Sequence, residues 1–455
     1  MSLSLCNHRM PAGSNKLFYI GKRVQLSGLR PLTLLLFLSA VLASPATFAH
    51  SKKSVPPVGA TATNPESASF PESNTLGPTP GTPLPNATLA ELGRKMFFDP
   101  SLSASGALSC SSCHDPNYAY GPPPGRAIAL GGPGMNQLGT RAVPSLRYLY
   151  QMPPFAENYH FADGDTGPAG GFTWDGRAAS LHEQAKLPLL APNEMANADG
   201  NAVAARLKKT AYANDFRKMF GKTIFNHPQA AFEAGLRALE AFQQLPSEFF
   251  PYTSKYDAFL RGQIELSDAE ERGAALFKDP KKANCASCHG TVIRDGGLPT
   301  FTDFDYINVG VPRNPNIPAN ADPAYFDLGL CGPARTDLKE RKEYCGYFRS
   351  PSLRNTAIRT AFFHNGVFHS LREVLHFYIE RDIKPEKWYS RNADGTVHKF
   401  DDLPPGMPDN VDHDPPLNRK PGEAPALTEA EIDDLIAFLQ TLTDGYEAVA
   451  LGREK

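Results

Sequence analysis

The sequence has few of the features that mark a membrane protein or a nucleic-acid-binding protein. The longest apolar run, residues 31–43, has 13 residues, fewer than the ~18 that a membrane-spanning helix needs. Basic residues form no cluster suited to nucleic acid, because 46 Lys and Arg are spread along the chain among 48 Asp and Glu. Alternating β-branched runs are also scarce, which disfavours a protein built on large β-sheets. A stable membrane span and a nucleic-acid partner are therefore not expected.

The N-terminal region has the order of a secretory signal. Residues 1–49 contain five basic residues, no acidic residue and the apolar run, followed by small residues up to Ala49. This order predicts a signal peptide over 1–49, with an uncleaved membrane anchor as the alternative. Its removal leaves 41 basic and 48 acidic residues, a net charge of −7. Residues 50–84, rich in Pro, Ser, Thr, Gly and Asn, predict a flexible linker.

Two copies of the pattern C-x-x-C-H, at residues 110–114 and 285–289, carry the chemistry. In this pattern the two thiols add across the haem vinyl groups, and the adjacent histidine is placed to ligate the iron. A redox dithiol or half of a zinc site would also use C-x-x-C, but no further zinc ligand follows at short spacing. The pattern predicts two covalently bound haem c groups in an exported, periplasmic protein. The attachment and ligand residues are Cys110, Cys113, His114, Cys285, Cys288 and His289.

Two further cysteines remain in the mature chain, Cys331 and Cys345. An even remainder in an oxidising compartment favours a disulfide that closes a loop. Two free buried thiols are the alternative.

Three other segments occur twice in the chain. The first pair, residues 91–100 and 271–280, predicts a helix that stops at a proline ahead of each haem motif. In the third pair, residues 174–183 and 364–373, each copy carries a capping box that begins a helix. The boxes are Ser180 with Glu183 and Ser370 with Glu373. The repeats predict an all-α fold of two tandem cytochrome c-like haem domains with long loops, over residues 85–262 and 263–447. The repeated pairs are 91–100 with 271–280, 144–147 with 351–354, and 174–183 with 364–373.

The third repeat places Tyr378 at the position of Pro188, 190 residues earlier. Tyr378 continues the helical stripe of Leu371, Val374 and Leu375, which is expected to face inward. A phenolate oxygen can ligate ferric haem, whereas proline cannot ligate iron. One hypothesis is therefore a His/Tyr haem in the second half and an open haem above Pro188. The alternative is that Tyr378 is a core aromatic and Pro188 only kinks its helix.

The order of the motifs resembles the bacterial di-haem cytochrome c peroxidase family. The resemblance is stronger to its MauG-like branch, and within that branch to the MbnH-like enzymes. It covers residues 85–446 and rests on Pro-Ser-Leu, Trp-Asp-Gly-Arg, Gln-Ala-x-x-Pro-Leu, Glu-Met, His-Asn-Gly and Phe-Tyr, together with the two haem motifs. It implies that the N-terminal haem reacts with hydrogen peroxide and that the C-terminal haem shares or supplies the electrons.

The resemblance also implies roles for individual residues around the two haems. Glu194 would transfer the proton during peroxide cleavage, since a carboxylate in an apolar pocket suits acid/base work. Gln184 would orient peroxide or water, and Trp174 would relay an electron or hole between the haems. His289 and Tyr378 would ligate the second haem. The implied catalytic residues are Trp174, Gln184, Pro188 and Glu194.

The sequence departs from the family at several places. No histidine occurs in residues 131–137, where ordinary members carry a distal ligand, so the first haem is expected to be open, with Met135 as a conceivable ligand. MauG has a tryptophan just before its second haem motif, but residues 282–284 here read Lys-Ala-Asn. Ala142 replaces the calcium-binding asparagine of the family, which leaves calcium uncertain.

We therefore expect a periplasmic di-haem oxidase that uses hydrogen peroxide to form a high-valent di-haem state and oxidises an aromatic residue of a protein partner. One alternative is a peroxidase that reduces peroxide to water with electrons from a small cytochrome or cupredoxin. Another is a non-catalytic di-haem electron carrier. His364, at the repeat position of Trp174, is a further candidate to line the second haem. Trp388 either packs at the surface or belongs to an exit path.

Overall fold

The structure, a computed structural model, describes residues 86–161, 164–291 and 298–447. The predicted signal peptide and linker lie outside these residues and stay predictions. Over the described ranges the chain forms eleven α-helices and three two-stranded antiparallel sheets. The mostly helical fold is confirmed, while the small sheets were not predicted. In these same ranges no helix is long and apolar enough to cross a membrane.

The helices and strands are short apart from α6 and are separated by long irregular segments. The helices are α1 Ala87–Phe97, α2 Cys110–Cys113, α3 Leu181–Leu190, α4 Gly200–Leu207, α5 Ala213–Phe220, α6 Pro228–Gln243, α7 Pro246–Phe249, α8 Lys255–Leu260, α9 Asp268–Lys278, α10 Leu371–Glu380 and α11 Glu429–Gln440. The paired strands are β1 Leu130–Gly131 with β2 Gln137–Leu138, β3 Ala156–His160 with β4 Thr166–Ala169, and β5 Tyr306–Ile307 with β6 Phe348–Arg349.

The first repeat contains a glycine that allows two helices to cross closely. A Cβ atom on Gly93 of α1 would lie 1.8 Å from the carbonyl oxygen of Ala238 in α6. A Cβ atom on Gly273 of α9 would lie 2.0 Å from the carbonyl oxygen of Asp434 in α11. Only glycine permits such an approach of backbone to backbone. The repeated glycine therefore has the same packing role in both halves of the chain.

The third repeat opens α3 and α10 in the same way. The Ser180 hydroxyl accepts the backbone N–H of Glu183 at 3.2 Å, which is one half of the predicted capping box. The Glu183 carboxylate accepts from the N–H of Ala179, one residue before the cap, at 2.9 Å instead of from Ser180 itself. Ser370 and Glu373 repeat the first contact at 3.2 Å. The caps were predicted correctly, but the return bond of the box is shifted by one residue.

Three clusters of buried apolar side chains each take their members from one part of the sequence, whereas a smaller cluster joins Met152, Phe172, Ala178 and Leu181 to Phe304. The largest takes all its buried members from residues 92–250. A second takes its members from residues 256–442, and a third from residues 362–411. Each half of the chain therefore buries apolar surface of its own, which is the main stabilising term of folding.

The repeated Pro-Ser-Leu-Arg segment supplies two arginines that bind acidic residues far along the chain. Arg147 donates to Asp444 at 2.8 Å, so the first segment contacts the C-terminal end of the described chain. Arg354 forms a two-bond pair with Asp257, with both N–O distances at 2.8 Å and both side chains fully buried. A pair with two parallel bonds fixes geometry better than a single contact.

The disulfide predicted from the cysteine count is present between Cys331 and Cys345. The Cys331 and Cys345 side chains are buried. The bond closes a loop with a sequence separation of 14 residues, and a loop of this size restricts the unfolded chain.

Candidate active site

The first haem-attachment motif presents an oriented, neutral histidine. Cys110 and Cys113 begin and end the single-turn helix α2, and His114 follows directly. The His114 Nδ1 atom lies 3.0 Å from the carbonyl oxygen of Tyr120. Burial lowers the pKa of His114 to about 4, so the ring is neutral and Nδ1–H donates to this carbonyl. The Nε2 lone pair is then available to a metal.

The second motif repeats this arrangement. The His289 Nδ1 atom lies 3.3 Å from the carbonyl oxygen of Phe301, and burial lowers the pKa of His289 to about 4. The accepting residues Tyr120 and Phe301 both have left-handed backbones, with φ of 55° and 56°. The four thiols of the two motifs are not in disulfides. The donor set at each site, two thiols and one neutral imidazole, fits a covalently bound haem.

Glu194 lies beside the first motif and is held there by the β1–β2 hairpin. The N–H of Gly132 donates to the Glu194 carbonyl at 2.8 Å, and a Cβ on Gly131 would be 2.4 Å from the Asn193 carbonyl oxygen. Burial raises the pKa of the Cys113 thiol to about 11, and the charge of Glu194 contributes next. The Gly-Gly sequence thus lets the hairpin lie directly on the Glu194 backbone, close to the haem-attachment helix.

The Glu194 carboxyl is in an environment that favours its protonated form. Burial raises its pKa, and the Arg177 guanidinium opposes this shift in part. The Glu194 residue is exposed to solvent, although many protein atoms surround its carboxyl group. A carboxyl with a raised pKa can both take up and return a proton.

Helix α3 carries the two other residues that were predicted to act beside the first haem. Gln184 and Pro188 are both half-buried, and their i, i+4 spacing puts them on one face of the helix. The Met195 N–H donates to the Pro188 carbonyl at 3.1 Å, and Glu194 bonds back to the end of the same helix. The chain therefore turns back after α3, so that Glu194 lies near the C-terminal end of the helix that carries Pro188.

A cavity of about 400 Å³ contains the second motif and extends into the first half of the chain. Tyr378 lines this cavity together with His289, as the repeat predicts. Burial, and then the neighbouring thiols of Cys288 and Cys285, raise the pKa of Tyr378. The Tyr378 hydroxyl is therefore close to the two attachment cysteines. Residues from the first half in its wall include Pro144, Arg147 and Trp174.

Trp174 is fixed in the cavity wall where the two halves meet. Its indole Nε1–H donates to the Ala142 carbonyl at 2.7 Å, and the Ala142 N–H donates to the His364 carbonyl at 2.7 Å. Arg141 donates to Asp175 at 2.7 Å and so ties together the residues next to this contact. Burial alone would raise the pKa of the Asp175 carboxyl, but the guanidinium groups around it hold this pKa at about 2. The indole thus has one orientation, set by both halves of the chain.

His364 lines the cavity as the repeat suggests. Its ring stacks on Phe348 with the centroids 3.5 Å apart and an interplanar angle of 4°. Its Nε2 atom lies 3.7 Å from an Asp402 carboxylate oxygen and has no hydrogen-bond partner within the described part of the chain. His364 is therefore a wall residue on the second haem side.

The charged residues of the cavity wall that sequence reasoning missed include Arg349, Arg359 and Asp305. Burial lowers the pKa of Arg359 to about 10 and also lowers the pKa of Arg349. Burial raises the pKa of Asp305 to about 7. Among the residues described, neither guanidinium forms an ion pair, and the Arg349 Nε atom lacks an acceptor. Cationic groups placed in this way fit the propionate carboxylates of a haem. No sequence motif marks these residues.

Two c-type attachment sites, each with an oriented neutral histidine, define a di-haem cytochrome c. The profile of the family described as "Di-haem cytochrome c peroxidase" matches residues 87–265. The chain is 36% identical over 368 residues to methylamine utilization protein MauG of Paracoccus denitrificans, covering 78% of this chain and 88% of that protein. The chain therefore belongs to the di-haem cytochrome c peroxidase and MauG family, and it is a haem peroxidase with two haem c groups.

Solved structures agree with this assignment. The diheme peroxidase BthA from Burkholderia thailandensis is 37% identical, with a TM-score of 0.71, covering 82% of this chain and 92% of that one. A MauG-like protein associated with microbial copper homeostasis is 27% identical, with a TM-score of 0.58, covering 83% and 95%. Each comparison covers most of both chains, so the match is not confined to one half of this protein.

Proposed function

We propose that this protein uses hydrogen peroxide to oxidise an aromatic side chain of a protein partner in the periplasm. The observation that carries the proposal is the carboxyl of Glu194, which lies beside the first haem-attachment helix with its pKa raised by burial. We further propose that residues 85–262 and 263–447 are two haem domains. The separate apolar clusters of the two halves support this division.

The residues beside the first haem-attachment helix have separate roles in the cleavage of peroxide. When bound, the haems would supply the redox chemistry: the two electrons that reduce peroxide and the storage of the two resulting oxidising equivalents. Glu194 takes the proton from the near peroxide oxygen and returns it to the leaving oxygen, which departs as water. Gln184 offers an amide donor and acceptor one helical turn before Pro188, and it orients peroxide for this transfer. Pro188 offers no ligand atom, which keeps this face open.

The residues of the second site would hold the second haem and provide an electron path between the two haem sites. They would not react with peroxide. His289 and Tyr378 would hold the iron of the second haem, and a phenolate ligand would favour the oxidised state of that iron. Trp174 lies in the shared cavity wall with its indole N–H bonded to a carbonyl. An indole held there relays an electron between the halves without having to reorient. A two-site store of oxidising equivalents suits a large protein substrate that reacts slowly at the surface.

Replacing Tyr378 by Phe will remove the low-spin His/Tyr signal from the electron paramagnetic resonance spectrum of the oxidised protein. The reason is that phenylalanine keeps the ring but lacks the ligating oxygen. Tyr389→Phe is the matched control, because Tyr389 is a buried tyrosine of the same half whose hydroxyl donates to the Gly310 carbonyl at 2.6 Å. A low-spin signal that survives Tyr378→Phe unchanged would assign the ligand to another residue.

The proposed function is tested with one equivalent of peroxide and with candidate partners. We expect the fully oxidised protein to form a long-lived, two-electron-oxidised optical spectrum. We also expect mass spectrometry of a co-expressed, exported protein encoded beside this one to show oxygen added to one aromatic residue. Bleaching without such a spectrum would indicate an electron carrier. Rapid steady consumption of a reduced small cytochrome, with every neighbouring protein unmodified, would indicate a detoxifying peroxidase.

A further inference from the structure

An unbroken series of aromatic contacts connects the second haem site with the protein surface. Tyr378 lies 5.8 Å from Phe363 and 6.1 Å from its neighbour Phe377, measured between ring centroids. Phe363 in turn lies 5.6 Å from Phe368. Phe368 and Phe377 each lie 5.7 Å from the Trp388 ring in edge-to-face geometry. Two parallel branches of packed aromatic rings therefore lead from Tyr378 to Trp388.

Among the described residues of this series, Trp388 is the easily oxidised one at the outer end. The chain has two tryptophans in all, and the other, Trp174, is buried in the cavity wall. Trp388 is half-buried and lines a surface groove with Pro312, Pro315 and Val367. Phenylalanine is too hard to oxidise to hold a charge, so the rings between serve only as a tunnelling medium. An indole at the groove is the first site where an oxidising equivalent can rest.

The surroundings of the Trp388 indole favour passing the charge onward. Its Nε1 atom is buried and has no hydrogen-bond acceptor among the residues described, so an oxidised indole cannot discharge by losing its proton to the protein. The Lys387 ammonium lies 4.4 Å from the ring centroid and also pairs with the Glu380 carboxylate. The ammonium is a positive charge next to the ring and makes the oxidised ring a stronger oxidant, and the carboxylate offsets part of this effect. Loss of the charge to a reductant at the groove is then the favoured outcome.

The position before the second haem motif, where MauG has a tryptophan, offers no comparable route here. Ala283 is buried, with 2% of its surface exposed, and it carries no oxidisable group. Lys282 is engaged in an ion pair with Glu431 at 2.7 Å. This chain therefore needs another outlet on the same half.

We propose that Trp388 is the residue through which oxidising equivalents leave the C-terminal half, an inference that rests on the proposed function. In each step the Trp388 indole gives one electron inward, by way of the Phe363, Phe368 and Phe377 rings and Tyr378. The oxidised enzyme is thereby reduced by one electron. A one-electron reductant at the groove, such as an exposed Tyr or Trp side chain of a protein, then restores the indole. Two such steps use both equivalents derived from one peroxide.

The proposal is tested by what happens when no reductant is supplied. Each pair of stored equivalents will then be spent on Trp388 itself: the indole loses two electrons, gains one oxygen atom from water, and releases two protons. We expect anaerobic additions of peroxide in isotopically labelled water to put labelled oxygen on Trp388, detected by peptide mass spectrometry. Oxygen taken from peroxide would instead show direct surface oxidation and would overturn the proposal.

Variants separate this inference from the proposed function. Trp388→Phe should form the peroxide-oxidised spectrum at the wild-type rate but decay several-fold more slowly, whereas Trp388→Tyr should recover much of the decay because tyrosine is also oxidisable. Glu194→Gln should slow labelling of Trp388 in proportion to its slower peroxide reaction. If the oxidised spectrum forms normally while the label appears on other residues and Trp388 stays unmodified, the exit role is wrong. If no oxidised spectrum forms at all, the proposed function fails instead.

Discussion

Replacing Glu194 by Gln will slow the reaction of the oxidised enzyme with hydrogen peroxide by roughly 10²–10⁴-fold, the usual cost of removing one positioned acid/base group. Glutamine keeps the size of the side chain and its contact with the pocket but cannot carry the proton between the two peroxide oxygens. Haem content and the resting optical spectrum should stay close to those of the wild type. Stopped-flow measurement of the first spectral change after mixing gives the rate.

The pH dependence of this rate gives a second, independent reading of Glu194. The first proton transfer requires the carboxylate, and burial raises the pKa of Glu194 above its ordinary value. The wild-type rate should therefore fall as the pH drops through this raised pKa, and the dependence should disappear in Glu194→Gln. Glu233→Gln, a change at a half-buried residue of α6 whose carboxylate accepts from Gln229 at 2.9 Å, is the control that should leave both rate and profile unchanged. A wild-type rate and profile in Glu194→Gln would exclude this residue from proton transfer.

Replacing Asp257 by Asn will lower the free energy of unfolding by about 3–5 kcal/mol, the usual cost of breaking a buried ion pair from one side. The Arg354 guanidinium makes two bonds to this carboxylate, and both side chains have no exposed surface. Asparagine preserves the shape but leaves the guanidinium charge buried without its counter-charge. Chemical denaturation of the haem-loaded protein, followed by far-ultraviolet circular dichroism, measures the change.

The control for Asp257 is an ion pair of the same chemistry on the surface. Arg372 pairs with Asp433, whose side chain is 64% exposed, and Asp433→Asn should cost no more than about 1 kcal/mol. Equal effects of the two substitutions would mean that the Arg354 guanidinium finds solvent or another acceptor when Asp257 is removed. The comparison therefore measures burial itself, since both variants exchange one carboxylate for one amide.

Several features could be predicted because the chemistry is local in the sequence. Two thiols and a histidine within five residues are enough to specify covalent haem attachment, and the structure gives both motifs the same oriented imidazole. The helix starts at Ser180 and Ser370 follow from a hydroxyl and a backbone N–H three residues apart. The disulfide followed from an even number of cysteines left after the haem motifs. The 190-residue offset placed Tyr378 in the same cavity as His289.

Other features were decided only by the tertiary structure, because they depend on contacts between residues distant in the chain. Sequence suggested Glu194, but only its burial and its neighbour Arg177 set the direction of its pKa shift. Nothing near Arg354 in sequence marks its pairing with Asp257, 97 residues away. The positions of the Arg349 and Arg359 charges in the cavity wall likewise depend on how the two halves pack together. Trp388 was ambiguous in the sequence, since a tryptophan in a loop has no periodicity to identify its neighbours. Its contacts with Phe368 and Phe377 exist because the chain returns to α10 after that helix has ended, and the packing of rings in space cannot be read from their spacing along the chain.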